Sequence, residues 1–202
     1  NYATTLDRPR FDRVGHEIGP SDWKRVVACA KHIGVTPTIM AMAAFAYALG
    51  VYSGGTSALT LNVTMFSQLA VHRDFRNIIG DLTTTVLVGI DLTGKNFYEI
   101  AKALQSKYAA DMSHAAYSGV DVARDLTAFL RENNSSEAAL SFPVVFTSAL
   151  DSMGDESNGW LGKAGFSVSA TPQVLLDCTV ISLGDGTVSF SFDFLTQVLP
   201  KS

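Results

Sequence analysis

One segment constrains the fold more than any other, because a helix formed by it would be apolar on almost every side. The segment reads TPTIMAMAAFAYALGV, in which Thr36 is placed to cap a helix and Pro37 stands at the first helical position. A helix without a polar face has to be enclosed by other elements of the fold. We therefore predict a central, buried helix here. Its apolar run, Ile39–Val51, is too short to span a bilayer.

The elements around this helix are predicted from their periodicity. Residues 57–66, SALTLNVTMF, alternate strictly, with Leu, Val and Met on one face and Asn62 between two threonines on the other. Further strands are predicted at 11–18, 81–91, 141–150, 164–169, 173–183 and 187–195, and further helices at 19–34, 96–112 and 120–131. The pattern is typical of an α/β protein of the α+β type, in which a mixed sheet packs against helices.

Local signals set some of the boundaries. Ser21 or Asp22 is expected to cap the helix after the first strand, and Gly34 is expected to end it. Residues 184–186, Gly-Asp-Gly, predict a tight turn and therefore antiparallel pairing of the last two strands.

Composition limits the classes of function. The chain of 202 residues is 47% hydrophobic and 17% charged, with a formal charge of −4 and no basic stripe, so we expect neither disorder nor a nucleic-acid partner. The two cysteines, Cys29 and Cys178, have no CxxC or His-spaced companions, so neither a disulfide framework nor a zinc site is expected. We expect no secretory leader. We expect a cytoplasmic location, no membrane partner, and a fragment of a larger polypeptide.

Asp177 is the residue whose position most needs explaining. It lies inside TPQVLLDCTVISL, a run that otherwise reads as a buried strand, where an isolated carboxylate is costly. Strict alternation puts Asp177 on one face with Gln173 and Thr179, and it allows Thr147 and Asn62 to point into the same crevice. Partial burial would raise the pKa of such a carboxyl and suit it to proton transfer. The alternative is that all three are ordinary polar residues of an exposed sheet face.

Several blocks of the sequence resemble, in family order, the C-terminal half of a heterocyclization domain of nonribosomal peptide synthetases. The blocks are TPTIMAMAAFAYALGVYSG, TLNVTMFSQLAVHRDFRNIIGDLTTTVLVGID, HAAYSGVDVARDL, FPVVFTSAL and ATPQVLLDCTV. The resemblance implies the condensation-domain superfamily, whose two lobes each resemble chloramphenicol acetyltransferase. Residues 1–202 would be the C-terminal lobe, with the N-terminal lobe outside this chain.

The resemblance also implies a reaction and its residues. Such domains join an upstream acyl thioester to a Cys, Ser or Thr aminoacyl thioester and then close a thiazoline or oxazoline ring with loss of water. The family's catalytic Thr and Asp fall on Thr147 and Asp177, and Asn62 matches a position important for activity. Gln173 and Ser148 are assigned to the substrate channel.

Some further positions match the family's motifs, and other family motifs are missing from the sequence. Asp81 and Gln173 match motif positions that are interpreted as more structural. Asp7 and Asp12 have part of the spacing of the family's tandem-aspartate motif, but Gly15 stands in place of its Ser, so we take this as a chance match. HHxxxDG, the counterpart in amide-forming condensation domains, is absent from the sequence.

The partners implied by the resemblance are the N-terminal lobe, upstream and downstream carrier proteins, and an adjacent adenylation domain. The phosphopantetheine arms of the carriers would bring the substrates, and no cofactor is expected to bind this chain directly. Three alternatives stay open: a catalytically silent lobe used for carrier docking, a self-associating lobe, and an amide-forming or acetyltransferase-like enzyme. Residues 151–165, with Trp160, are either a surface loop or a segment that crosses between the lobes.

Overall fold

The computed structural model describes residues 8–65, 83–133, 140–150, 169–183 and 185–199. The strands are β1 (Phe11–Ile18), β2 (Ala58–Met65), β3 (Thr84–Asp91), β4 (Val144–Ala149), β5 (Leu176–Ser182) and β6 (Val188–Leu195). The helices are α1 (Pro20–Ile33), α2 (Pro37–Tyr52), α3 (Phe97–Ser113) and α4 (Gly119–Glu132). Some predictions concern residues outside the described ranges. These are Asp7, Asp81, the segment with Trp160, and all but the last residue of the strand predicted at 164–169.

The six strands form one mixed sheet in the order β1-β6-β5-β4-β2-β3. β4 pairs in parallel with both β2 and β5, whereas β1–β6, β5–β6 and β2–β3 are antiparallel. The predicted class, a mixed sheet packed with helices, is confirmed, as is the antiparallel pairing of the last two strands. The two most distant strands in sequence, β1 and β6, lie side by side.

Helix α2 is central and half of its residues are buried, but its second half exposes Tyr47, Val51 and Tyr52, so it is enclosed less completely than predicted. Its side chains form a core cluster with the apolar faces of the strands and with α3. The Phe45 ring lies 6.2 Å from that of Phe146 and 6.0 Å from that of Phe192, so the helix rests on the middle of the sheet. The Thr36 hydroxyl accepts a hydrogen bond from the Ile39 backbone N–H at 3.2 Å, which confirms the predicted cap. No single described helix has the length and apolar character for a membrane span; α1 and α2 pass that test only as a pair bent by 96°.

Two local predictions need correction. The first helix is preceded by Gly19 and begins at Pro20, so Ser21 and Asp22 lie inside its first turn and neither caps it. The ring of Pro20 fixes a helical φ and needs no N–H partner, which allows the helix to start without a side-chain cap. The predicted end is confirmed, because Gly34 adopts the left-handed conformation with φ of 78°.

The second correction concerns the strand predicted at 173–183, which begins only at Leu176. Residues 171–174 form a turn in which the Val174 N–H donates to the Thr171 carbonyl at 3.2 Å. Pro172 occupies the second position of that turn and Gln173 the third, with φ of +69°, as a type II turn requires. The alternation of β5 therefore does not extend back to Gln173.

The two faces of the sheet differ in character. One face carries the apolar side chains that pack under α2 and α3, including Val63, Phe146 and Cys178. The other carries polar side chains on its central strands. The start of α4 covers this second face only at the edge strand β3, where a Cβ added to Gly119 would lie 2.8 Å from the Thr85 hydroxyl.

Candidate active site on the polar face of the sheet

A single row of side chains runs across five strands on the polar face. Paired positions in adjacent strands point to the same side of a sheet. The register pairs Asn62 with Val145, Val145 with Asp177, Asp177 with Asp193, and Asp193 with Arg13. Asp177 and Asn62 therefore lie on one face, separated by a single apolar residue.

Thr147 lies in the next row of the same face. Its register partners are Thr64 on β2 and Thr179 on β5. The Thr147 hydroxyl donates a hydrogen bond to the Thr64 hydroxyl at 3.0 Å, and a hydroxyl oxygen that donates its proton can still accept. Thr147 and Asp177 are diagonal neighbours on the parallel strands β4 and β5, two positions apart in register. The structure thus places them on the same face of the sheet, in adjacent rows.

The Asp177 carboxyl has an unusual environment. Its Oδ1 atom is buried and has no hydrogen-bond partner among the described residues. Burial raises the pKa of this carboxyl above its ordinary value, and the facing charge of Asp193 raises it further. The Ser169 hydroxyl and the Arg13 guanidinium lower the pKa, but they do not cancel the increase. A carboxyl of this kind can hold a proton at a higher pH than an exposed aspartate and can exchange it with a bound molecule.

Asp193 contrasts with Asp177 although the two face each other. It is 1% exposed and accepts hydrogen bonds from Arg13 Nε at 2.7 Å, from Arg13 Nη2 at 2.6 Å and from the Ser169 backbone N–H at 3.0 Å. A buried carboxylate with a bidentate arginine is fully satisfied. The sequence reasoning missed both Asp193 and Arg13. Asp193 could have been found by the pattern that drew attention to Asp177, because it too is an acid inside an apolar strand, VSFSFDFL.

Asn62 and Gln173 line a common cavity of about 250 Å³. Val120 of α4 and Phe142, which precedes β4, also contribute to its wall. The Asn62 Oδ1 atom, like Asp177 Oδ1, is buried without a hydrogen-bond partner among the described residues. Gln173 reaches this cavity from the turn rather than from β5.

Ser148 lies apart from the other candidate residues. It follows Thr147 in β4 and points to the opposite face of the sheet, where its hydroxyl lies 3.3 Å from that of Thr38 near the start of α2. It lines a separate cavity of about 280 Å³ with Thr36 and Tyr108. The structure therefore does not bring Ser148 together with Asp177 and Asn62.

Other types of site find little support in the described part of the chain. Cys178 is buried in the core, and burial raises the pKa of its thiol to about 12, so the thiol stays protonated at neutral pH and does not act as a nucleophile. Among residues whose placement is described, no group of three His, Cys, Asp or Glu side chains is arranged to hold a metal ion. A cavity of about 600 Å³ between α3 and the strands β2 and β3 includes neither Thr147 nor Asp177.

Comparison with known proteins gives several similar sequences. The chain is 36% identical over 192 residues to phenyloxazoline synthase MbtB of Mycobacterium tuberculosis, covering 93% of this chain and 13% of that protein. It is 32% identical over 177 residues to pyochelin synthetase PchF of Pseudomonas aeruginosa, covering 85% of this chain and 9% of that protein. The chain thus spans only a small part of these curated relatives. No protein-family model matches it.

Solved structures agree with the sequence comparison. The cyclization-docking bidomain of the nonribosomal peptide synthetase EpoB from Sorangium cellulosum is 34% identical, with a TM-score of 0.77, over 95% of this chain and 38% of that one. The first condensation domain of the CDA synthetase matches with a TM-score of 0.66 at 14% identity, over 94% of this chain and 40% of that one, and this match shows the shared fold alone. These matches confirm the resemblance, predicted from the sequence blocks, to heterocyclization domains of nonribosomal peptide synthetases.

Proposed function

This chain is homologous to a segment of nonribosomal peptide synthetases and shares the fold of part of a cyclization-docking bidomain, and from this relationship we propose its function. It forms the C-terminal lobe of a heterocyclization domain. The complete domain joins an acyl thioester to a Cys, Ser or Thr aminoacyl thioester and then closes a thiazoline or oxazoline ring. The substrates arrive on the phosphopantetheine arms of carrier proteins, and the N-terminal lobe supplies the other half of the reaction chamber.

Ring closure consists of proton transfers around one carbon atom. The thiol or hydroxyl of the acceptor residue attacks the carbonyl carbon of the new amide, loses its proton, and leaves a hydroxyl on that carbon. The hydroxyl then departs as water after gaining a proton, while the amide nitrogen loses its proton as the C=N bond forms. A carboxyl that both accepts and returns a proton can serve each step. Asp177 has the required property, because burial and Asp193 raise its pKa.

Thr147 has a different role in this proposal. The Thr147 hydroxyl directs its proton to Thr64, so its oxygen can still act as an acceptor. It can accept a hydrogen bond from the amide N–H or from the hydroxyl of the intermediate and hold that group towards Asp177. Thr147 thus orients the intermediate, and Asp177 moves the protons.

The observation that carries the proposal is the pair of buried oxygens without partners. Buried acceptors in native proteins are nearly always hydrogen-bonded, so each exception calls for an explanation. Asp177 Oδ1 and Asn62 Oδ1 lie in the same row on the polar face, and both lack a donor among the described residues. A peptide-like substrate carries the N–H and O–H donors that these oxygens lack. A binding role for this face therefore accounts for both exceptions together.

The test uses the complete synthetase that contains this chain, with its carrier-bound substrates, and separates amide formation from ring closure. Asp177→Asn is expected to form the linear amide but to close the ring about 100-fold more slowly or worse. Thr147→Val, which keeps the shape and removes the hydroxyl, is expected to show the same separation with a smaller loss. Ser148→Ala is the matched control, since Ser148 lies on the other face. Unimpaired ring closure in both Asp177→Asn and Thr147→Val would instead support a catalytically silent lobe.

A further inference from the structure

The polar row contains a second acid. We propose that the Arg13–Asp193 ion pair acts on the Asp177 carboxyl electrostatically, because it holds a fixed carboxylate directly opposite it. This inference rests on the function proposed above, because it concerns the same site. It assigns roles to two residues that do not touch the substrate. Asp193 supplies the facing charge, and Arg13 holds that charge in place.

The geometry of Asp193 leaves it little freedom. Both of its oxygens accept from Arg13, one of them also accepts from the Ser169 backbone N–H, and the side chain is 1% exposed. Three hydrogen bonds from two separate segments lock the carboxylate in one orientation. The Arg13 side chain is 26% exposed, so it closes the row on the side that is open to solvent.

The row makes the two acids unequal. Asp177 and Asp193 are directly opposed on antiparallel strands, a placement at which two negative charges repel each other. Asp193 has an arginine and a backbone N–H, whereas Asp177 Oδ1 has no partner among the described residues. The facing charge therefore acts on Asp177, whose Oδ1 atom lacks a compensating donor there. In keeping with this, the charge of Asp193 raises the pKa of Asp177 and that of Arg13 lowers it.

The groups that face Asp177 in the described residues are few. Asp193 faces it from β6 and Arg13 lies beyond on β1, while the Ser169 hydroxyl approaches from the segment before the turn. The neighbours on the other side are uncharged, namely Val145 on β4 and Asn62 on β2. Asp193 and Arg13 are thus the two charged groups that can tune Asp177 in this part of the fold.

Opposite signs follow for the two halves of the ion pair. Asp193→Asn removes the facing negative charge, so the pKa of Asp177 should fall. Arg13→Gln removes the cation and leaves the negative charge, so the pKa of Asp177 should rise. General loss of structure would move both variants in the same direction, whereas a charge effect requires them to move apart.

The first measurement is a carboxyl ¹³C NMR titration of Asp177 in this chain, with Asp177→Asn used to assign the signal. The second is the pH profile of ring closure in the complete synthetase. Asp111→Asn is the matched control, because it breaks an exposed pair with Lys107 on α3, 3.0 Å apart, far from the polar row. The double variant Arg13→Gln/Asp193→Asn replaces both charges by amides. It is used for the titration if one of the single variants does not fold. It should lower the pKa of Asp177 less than Asp193→Asn would, because Asp193 has the larger effect of the two.

The outcomes separate the inference from the function on which it rests. Opposite shifts in the titration of Asp177, with none in Asp111→Asn, support the inference even if ring closure is unchanged, and in that case only the proposed function fails. An unmoved titration in Asp193→Asn or in the double variant overturns the inference, whatever Asp177 does in catalysis. So does a shift of both single variants in one direction. Where both hypotheses hold, the pH profile of ring closure moves with the titration.

Discussion

The Asp177 carboxylate is expected to destabilise the folded protein, because it faces the carboxylate of Asp193. Replacing it with asparagine should therefore stabilise the protein at neutral pH. Opposed side chains on neighbouring antiparallel strands have Cβ atoms about 5 Å apart. At an effective dielectric constant of about 20, two full charges at that distance repel by about 3 kcal/mol. Arg13 offsets part of this repulsion through its ion pair with Asp193. We expect Asp177→Asn to raise the free energy of unfolding by about 1–2 kcal/mol at pH 8.

The pH dependence gives this prediction its sharpest form. The pKa of Asp177 is raised in the folded state above the value of 3.8 for an unperturbed aspartate, so the folded protein binds the proton more tightly than the unfolded chain does. The stability of the wild type therefore falls as pH rises from about 4 through the folded-state pKa, and then levels off. The side-chain amide in the Asp177→Asn variant does not titrate, so the difference between the two proteins should be small at pH 4 and largest at pH 8.

Urea denaturation at pH 4 and at pH 8 measures this difference. Trp23 provides the signal, because its ring packs edge-on against Phe190 at 6.4 Å. Asp22→Asn is the control: it breaks an exposed pair with Arg25 and should change stability by less than about 1 kcal/mol. A variant at Asp177 that is less stable than the wild type at pH 8, or a gain that is equal at both pH values, would refute the reasoning.

Two further changes test the parts of the fold that surround the site. Gly119→Ala should lower the free energy of unfolding by about 1–3 kcal/mol, because the new Cβ would lie 2.8 Å from the Thr85 hydroxyl and 3.2 Å from its backbone oxygen. Gly89→Ala meets only Lys107 Cε, at 3.8 Å, and is the control in the same urea assay; equal losses would contradict the close packing of α4 on β3. Gln173→Gly should leave stability unchanged or raise it by up to about 1 kcal/mol, because glycine adopts φ of +69° without strain. A clear loss would mean that the Gln173 side chain makes stabilising contacts across the cavity that it shares with Asn62.

The fold could be predicted where one local pattern decided the structure. The apolar segment after Thr36 predicts a core helix, and the observed α2, Pro37–Tyr52, starts at the predicted residue, although its second half leaves Tyr47 and Tyr52 exposed. The strict alternation of 57–66 likewise gives β2 at Ala58–Met65. The errors occur where two local signals compete. In 173–183 the alternation continues through Gln173, but Pro172 and the hydrogen bond from Val174 impose a turn first.

The site could be predicted only in part, because its residues come together through long-range pairing. Parity within β4 and β5 allows Thr147 and Asp177 to share a face, and the parallel register of these strands shows that they do. No parity argument reveals that β1 pairs with β6, whose Asp193 lies 180 positions from Arg13, so the ion pair of these two residues could not be anticipated. The placement of Ser148 has a local cause instead: it follows Thr147 in β4, and adjacent strand residues point to opposite faces, so parity alone separates it from Thr147.

The difference between the two acids links these observations to function. Asp177 and Asp193 occur in similar apolar strands and lie opposite each other, so the sequence around each does not explain why they should differ. The difference comes from β1, which brings an arginine to Asp193, whereas Asp177 Oδ1 has no donor among the described residues. A fold under selection for stability alone would satisfy both carboxylates or replace the unpaired one. Under the function proposed above, a bound substrate would supply the donor that Asp177 Oδ1 lacks among the described residues.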